Sequence, residues 1–208
     1  MLNNPNLEKE IHYMLIKPLR EPIEINDLLR VKKIILTPNN INQLLASATA
    51  IDLEKLSNVS SISLEQLPIT EEIVSMINHK ESLQSIYIGH CQLQTNQQLS
   101  LPVDSVSLNS VDVKMLELFG QPQTISKMTL LRVRELDMEK LARFSDVKNL
   151  SICRCNVIHT SYINQLTKLK QLQIEGTNFD HQESLGYLRD EVIIHQRVNY
   201  DNDMIEID

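Results

Sequence analysis

The residues of this chain that are best suited to chemistry are its three cysteines and six histidines. Cys153 and Cys155 flank one arginine, and His159 follows closely; thiolates and imidazoles are ligands that zinc prefers. Because side chains alternate along a strand, Cys153 should face outward while Cys155 turns into the core. Cys91 has an equivalent place, where cysteine is usually buried and structural. We therefore predict no metal site, no cofactor and no cysteine nucleophile.

Other catalytic motifs are also missing from the sequence. No histidine belongs to an HExxH motif, and no GxSxG, GxGxxG or GxxxxGK[ST] segment occurs. The chain has 4 glycines, whereas average usage would give roughly 15. Carboxylates are plentiful, but no pair stands out as an acid and base. The sequence predicts a protein that is not an enzyme, and an enzyme with an unrecognised site is the alternative.

The net charge and the number of cysteines indicate which partners and which cellular compartment to expect. A net charge of −7 and a pI near 5.4 disfavour nucleic acid or an anionic membrane as the main partner. Three cysteines make no disulfide framework of the secreted kind. The N-terminal segment does not resemble a signal peptide, and no stretch of about 18 uncharged apolar residues occurs. We expect a cytoplasmic protein that is monomeric on its own.

Apolar residues recur along the chain in the template L-x-x-L-x-L-x-x-N/C-x-L. The clearest copies read VKNLSICRCNV and LKQLQIEGTNF. Seven copies begin near residues 31, 59, 83, 103, 125, 147 and 169, at intervals of 20 to 28 residues. These intervals fall within the period of leucine-rich repeats. The ninth template position, where a polar side chain can bond the turning backbone, is occupied by Asn39, Leu67, Cys91, Val111, Val133, Cys155 and Thr177.

The template has a direct structural meaning. Its two alternating apolar residues, such as Ile34 and Leu36, point to one face of a short strand. One repeat cannot bury this apolar pair alone, so the copies must stack and be capped. The predicted fold is an α/β solenoid: a leucine-rich repeat arc with a parallel sheet on its concave face. Short helices, 3-10 turns or loops cover the convex face, and a helical cap precedes the repeats.

Three regions follow from this pattern. Residues 1–30 form the cap, in which Asn4 is the predicted N-cap and Pro5 the first helical residue. Residues 31–187 hold the repeats, with a convex helix beginning after Thr70. Residues 188–208 give a capping strand and an acidic tail, which would blunt the edge of the sheet.

The cap and the repeats together resemble those of bacterial internalin-like leucine-rich repeat proteins. The residues that carry the resemblance in the cap are Pro5, Asn6, Leu7, Ile11, Leu15, Lys17, Pro18, Ile25, Asp27, Leu28 and Val31. The 22-residue interval of the later repeats is also similar to that of internalins. A signal peptide and a surface anchor, which internalins carry, are not recognised here. The resemblance implies a non-enzymatic scaffold that binds a protein, without indicating which protein.

Residues that alternate with the apolar pairs should line the concave face. Most are small and neutral, and tyrosine and arginine are the types that dominate interface hot spots. The candidate contact residues are Ile35, Tyr87, His90, Leu131, Arg132 and Arg154. We expected Tyr87 to act with His90, and Leu131 with the two arginines. Two alternatives to a general scaffold remain: an immunity or inhibitor protein that occludes a toxin or enzyme, and a fragment of a surface adhesin.

Overall fold

The computed structural model describes residues 2–41, 46–120 and 124–197. Its main sheet has eight parallel strands of four or five residues. They are β1 (Lys33–Leu36), β2 (Ser61–Glu65), β4 (Ser85–Gly89), β6 (Ser105–Asn109), β7 (Lys127–Leu131), β9 (Asn149–Cys153), β11 (Gln171–Glu175) and β13 (Ile193–Arg197). Because neighbours in the sheet are successive repeats, the predicted parallel arrangement of the solenoid is confirmed.

The register of the sheet follows the sequence template. Ile34 pairs with Ile62, and Leu36 with Leu64, so that equivalent template positions lie side by side. The paired apolar side chains are fully buried, whereas the residues between them face outward. One continuous aliphatic core therefore runs through the stack, and it is the burial of this core that orders the sheet.

Helices and short strands return the chain on the convex side. The helices are α1 (Pro5–Met14), α2 (Ile25–Arg30), α3 (Ala46–Lys55), α4 (Glu71–Asn78) and α5 (Met138–Ala142). The 3-10 helices span Val113–Leu118, Thr160–Gln165 and Gln182–Tyr187. Small parallel ladders join β3 (Pro68–Ile69) to β5 (Gln92–Leu93), and β8 (Leu136–Asp137) to β10 (Asn156–Ile158) and β12 (Asn178–Phe179). Short helices and 3-10 turns on this side agree with the predicted fold class.

The N-terminal cap is held to the first repeat by buried polar groups. Asn4 is the N-cap of α1, as predicted, and its side chain accepts hydrogen bonds from the backbone of Asn6 and Leu7. The same side chain donates to the Thr49 hydroxyl at 2.7 Å. Asp52, on α3, is fully buried and accepts the backbone N–H groups of Asn3 and Asn4. These bonds join the cap to α3, a helix that the repeat template did not predict.

The ninth template position forms a polar ladder only in part. The Thr177 hydroxyl donates to the carbonyls of Ile152 and Glu175, both at 3.1 Å. In the first repeat the prediction of Asn39 was wrong. Asn40 is the buried residue: it accepts the Thr37 N–H at 2.8 Å and donates to the Ile35 carbonyl at 2.8 Å. The preceding Pro38 explains the shift, since its ring prevents the positive φ that later repeats use at this turn.

Two further predictions need comment. Thr70 is the N-cap residue of α4, but its side chain makes no capping bond with the helix backbone. The last strand, β13, pairs in parallel with β11 at the edge of the sheet, and all five of its residues are exposed. The acidic tail predicted after it lies outside the described residues. No helix within the described part of the chain is long and apolar enough to cross a bilayer.

Candidate protein-binding face

The middle of the concave sheet is a continuous row of outward-facing positions. In register across the eight strands these are Ile35, Ser63, Tyr87, Ser107, Thr129, Ser151, Gln173 and His195. Four of the eight are serine or threonine, and at these positions another molecule can come close to the sheet. The C-terminal half of this face contains a depression of about 240 Å³ lined in part by Lys127, Ser151 and His195.

Tyr87 is the third residue of this row and has a serine on each side, Ser63 and Ser107. Its hydroxyl accepts a hydrogen bond from the Asn109 amide on the neighbouring strand at 2.9 Å. The ring lies against Gly89, the residue two places further along its own strand. A Cβ at position 89 would lie 2.8 Å from the Tyr87 ring, so glycine leaves the room that this conformation needs. Tyr87 is therefore half-buried and held in place before any partner arrives.

The residues that follow the strands form a second row, in the left-handed region of backbone conformation. Their φ angles lie between 52° and 57° at Gln66, His90, Ser110, Arg132, Arg154 and Gly176. Each of their N–H groups donates to the strand-end carbonyl of the next repeat, for instance His90 to Asn109 at 2.9 Å and Arg154 to Glu175 at 2.7 Å. Left-handed backbone is costly for residues with a Cβ. The repeated backbone bond offsets that cost and continues the sheet past the ends of its strands.

Two of the predicted contact residues line one groove beside the sheet. His90 and Arg132 line one groove of about 670 Å³, together with Lys114 and Arg134 from the convex side of their repeats. Tyr87 does not line this groove but reaches toward Asn109. Whether Tyr87 and His90 act together in one contact patch stays a prediction; His90 follows β4 with a left-handed backbone, and its side chain is exposed.

The remaining candidates take up simpler positions. Ile35 and Leu131 are half-buried, at the middle of β1 and at the end of β7. Arg154 is exposed one strand beyond Arg132, in the same left-handed row. Sequence reasoning missed Lys114 and Arg134, because the template does not describe the turns that carry them.

The cysteines and the nearby histidine behave largely as their template positions imply. Cys91 and Cys155 are buried, and burial raises the pKa of both thiols. Cys153 is partly exposed and lies 3.5 Å from the Ser151 hydroxyl, so the two thiols of the CxC segment diverge as expected. His159 instead pairs with Asp137, Nδ1 to Oδ1, at 3.0 Å.

His159 belongs to a small convex-side cluster that sequence reasoning did not find. Ligand atoms of Asp137, Glu139 and His159 lie within 4.8 Å of one another. The hydrogen bond that His159 donates to the Asp137 carboxylate raises the pKa of His159, despite some opposing desolvation. Asp137 and His159 are 22 residues apart, which is the repeat interval, and this spacing was the signal available in the sequence. The imidazole and the carboxylate thus serve as each other's hydrogen-bonding partners.

Successive parallel strands at the repeat interval, with short helices returning on the other side, define a leucine-rich repeat fold. No family model and no curated protein matches the chain. Solved structures of similar fold include an internalin C2 and a second internalin, both from Listeria monocytogenes, and a leucine-rich repeat protein of Leptospira interrogans.

The likeness to these structures is one of fold. The internalin C2 is 14% identical with a TM-score of 0.47, and the match covers 94% of each chain. The second internalin is 12% identical with a TM-score of 0.37, over 95% of this chain and 77% of its own. The Leptospira protein is 14% identical with a TM-score of 0.40, over 86% of this chain and 52% of its own. The neighbours are thus of the kind that the sequence resemblance indicated, namely internalins and leucine-rich repeat proteins.

Proposed function

We propose that this protein is a non-enzymatic scaffold that binds a protein partner through its concave sheet. The observation that carries the proposal is the Tyr87 ring, which is bonded to Asn109, packed on Gly89 and flanked by serines on both neighbouring strands. A partner can approach these serines closely and pack against a tyrosine whose conformation is already set. Tyrosine provides a large contact area and is a frequent hot-spot residue.

Rigidity favours binding by this face. Each strand is bonded along its length to its neighbours, and the left-handed row extends the bonding beyond the strand ends. Because the sheet and Tyr87 are already ordered, little conformational entropy is lost when a partner docks. The mechanism is the display of a preformed surface.

The compartment of the protein is a further part of the proposal. We place it in the cytoplasm, which the three free cysteines support, because unpaired thiols are typical of a reducing environment.

The proposal can be tested with a variant that changes only the middle row. The double variant Tyr87→Ala, Ser107→Arg removes the aromatic contact and places a large side chain on the neighbouring strand, beside position 87. Tyr187→Ala with Ser161→Arg makes the same two substitutions at exposed convex positions. Each protein is immobilised and used to capture proteins from the lysate of its native source, and the captured protein is identified and quantified by mass spectrometry.

We expect the concave variant to lose the captured protein and the convex variant to retain it, with the circular dichroism of both unchanged. Retention by the concave variant at the level of the unmodified protein would show that binding uses another surface.

A further inference from the structure

The edge of the sheet where the strands end carries a cluster of basic side chains, namely lysine, arginine and histidine. We call this cluster the basic edge and define it as His90, Lys114, Arg132, Arg134 and Arg154. Four of the five residues line the 670 Å³ groove, and Arg154 follows Arg132 in the left-handed row. We propose that the basic edge binds an acidic segment of the partner protein, an inference that rests on the proposed function.

The cations of the basic edge are available for an external ligand. In the part of the chain that the structure describes, no ion pair and no side-chain hydrogen bond engages Lys114, Arg132, Arg134 or Arg154. All four side chains are exposed. Other cations of the protein are paired internally: Lys17 bonds Asp27, and Arg189 bonds Glu191. A carboxylate that reaches the basic edge therefore displaces no existing partner.

One carboxylate, that of Asp112, lies among the cations of the groove and offsets part of their charge. One of its oxygens accepts the backbone N–H of Lys114 at 2.8 Å and so begins the 3-10 helix there. Lys114, Arg132 and Arg134 line the same groove, so its cations outnumber this carboxylate. Guanidinium groups suit a carboxylate ligand, because each can donate two parallel hydrogen bonds to it.

The contrast between the net negative charge of the chain and the positive charge of the basic edge limits where an acidic segment can dock. At a net charge of −7 the protein as a whole repels such a segment, and the basic edge is a local exception. Attraction at one place and repulsion elsewhere favour a single docking orientation. The wall of the groove also contains Leu93, which is half-buried, whereas Val111 and Met115 belong to the buried core. An apolar side chain between the acidic residues of the partner can pack against Leu93.

Binding of a synthetic peptide tests the proposal directly. The probe is a fluorescein-labelled peptide of twelve residues in which glutamate alternates with leucine or serine, and its control has glutamine in place of each glutamate. Fluorescence anisotropy is measured at low and at physiological salt. Arg132→Glu with Arg134→Glu reverses two charges of the basic edge. Lys148→Glu with Lys170→Glu makes the same change in net charge at exposed positions before β9 and β11, at the opposite edge of the parallel strands.

We expect the acidic peptide to bind the unmodified protein and to bind the basic-edge variant at least about tenfold more weakly, whereas the matched variant changes by less than about twofold. Salt should weaken binding because the contacts are ionic. Equal weakening in both variants, equal binding of the glutamine peptide, or equally tight binding of a single-stranded oligonucleotide of the same charge would overturn the proposal.

The two proposals fail separately. If the peptide does not discriminate between the variants but the Tyr87→Ala, Ser107→Arg protein still loses its captured partner, then the concave face binds protein without an acidic segment at the basic edge. If that variant retains its partner, the proposed function itself is wrong.

Discussion

The Tyr87 ring and Gly89 are packed so closely that a methyl group at position 89 would come 2.7 Å from the tyrosine hydroxyl. The Gly89→Ala variant must therefore move the ring, which is the outer part of a flexible side chain. We expect the protein to fold with a loss of stability of about 1 kcal/mol. Partner capture should fall because Tyr87 leaves its bond to Asn109.

Gly186→Ala is the matched control for that substitution. A Cβ at Gly186 meets no atom within 4 Å. Thermal unfolding and partner capture of this variant should equal those of the unmodified protein. If Gly89→Ala left capture unchanged while a structure of the variant showed Tyr87 displaced, the fixed ring would not be needed for binding.

Lys80 stabilises the end of α3 from within the core. Its ammonium group is buried and donates to the carbonyls of Leu53 and Leu56 at 3.0 and 2.5 Å. Burial lowers the pKa of Lys80, but the bonded carbonyls satisfy the charged group. Lys80→Met should reduce the free energy of unfolding by about 2 kcal/mol, because the carbonyls of Leu53 and Leu56 lose a charged donor and keep only their backbone hydrogen bonds. Urea denaturation measures this loss, and Lys170→Met at an exposed position should change stability by less than about 0.5 kcal/mol.

Asp52 holds the N-terminal cap to the first repeat. Replacing it by alanine leaves the N–H groups of Asn3 and Asn4 without their acceptor. We expect Asp52→Ala to destabilise the protein by about 3 kcal/mol. Limited proteolysis should then cleave the chain within α1 before it cleaves the later repeats. Uniform cleavage along the chain would show that the cap is not a separate point of weakness.

Asp180 makes stability depend on acid pH. Desolvation acts to raise its pKa, but hydrogen bonds from the Thr160 side chain and from the backbone of Thr160, His159 and His181 outweigh this and lower the pKa from 3.8 to about 2. The folded state therefore binds the proton more weakly than the unfolded state. The contribution of Asp180 is present above pH 3.8 and is lost as the pH falls toward 2.

Denaturation of the unmodified protein and of Asp180→Asn at several pH values tests this sign. The difference in unfolding free energy should be constant near neutral pH and should shrink between pH 3.8 and about 2. A difference that grows as the pH falls would contradict the assignment. Asp190→Asn, at an exposed position on the following loop, serves as the control.

The sequence predicts the strands and their register well, because burial of two alternating apolar residues determines both. Residues such as Ile34 and Leu36 enter the core wherever the template occurs. Prediction fails where backbone conformation matters more than burial. Pro38 moved the polar bond from Asn39 to Asn40, and the strand template did not predict the left-handed backbone at His90.

The functional face was predictable only in part, for the same reason. Alternation along a strand is enough to identify Tyr87 as an outward residue. Lys114 and Arg134 join Arg132 through turns between the sheet and the convex side, which a strand template does not describe. The pairing of Asp137 with His159 required recognising a second ladder at the repeat interval.

The two ends of the repeat stack are held differently, and the row of residues with left-handed backbone shows this at the C-terminal end. Its last backbone bond, from Gly176 to Arg197, is 3.4 Å long, whereas the bonds before it measure 2.7 to 2.9 Å. All of β13 is exposed, while the opposite end is secured by Asp52. Local opening should therefore begin at β13 and proceed strand by strand toward β1. Amide hydrogen exchange would then be fastest in β13 and become progressively slower toward β1, giving the molecule a direction of unfolding.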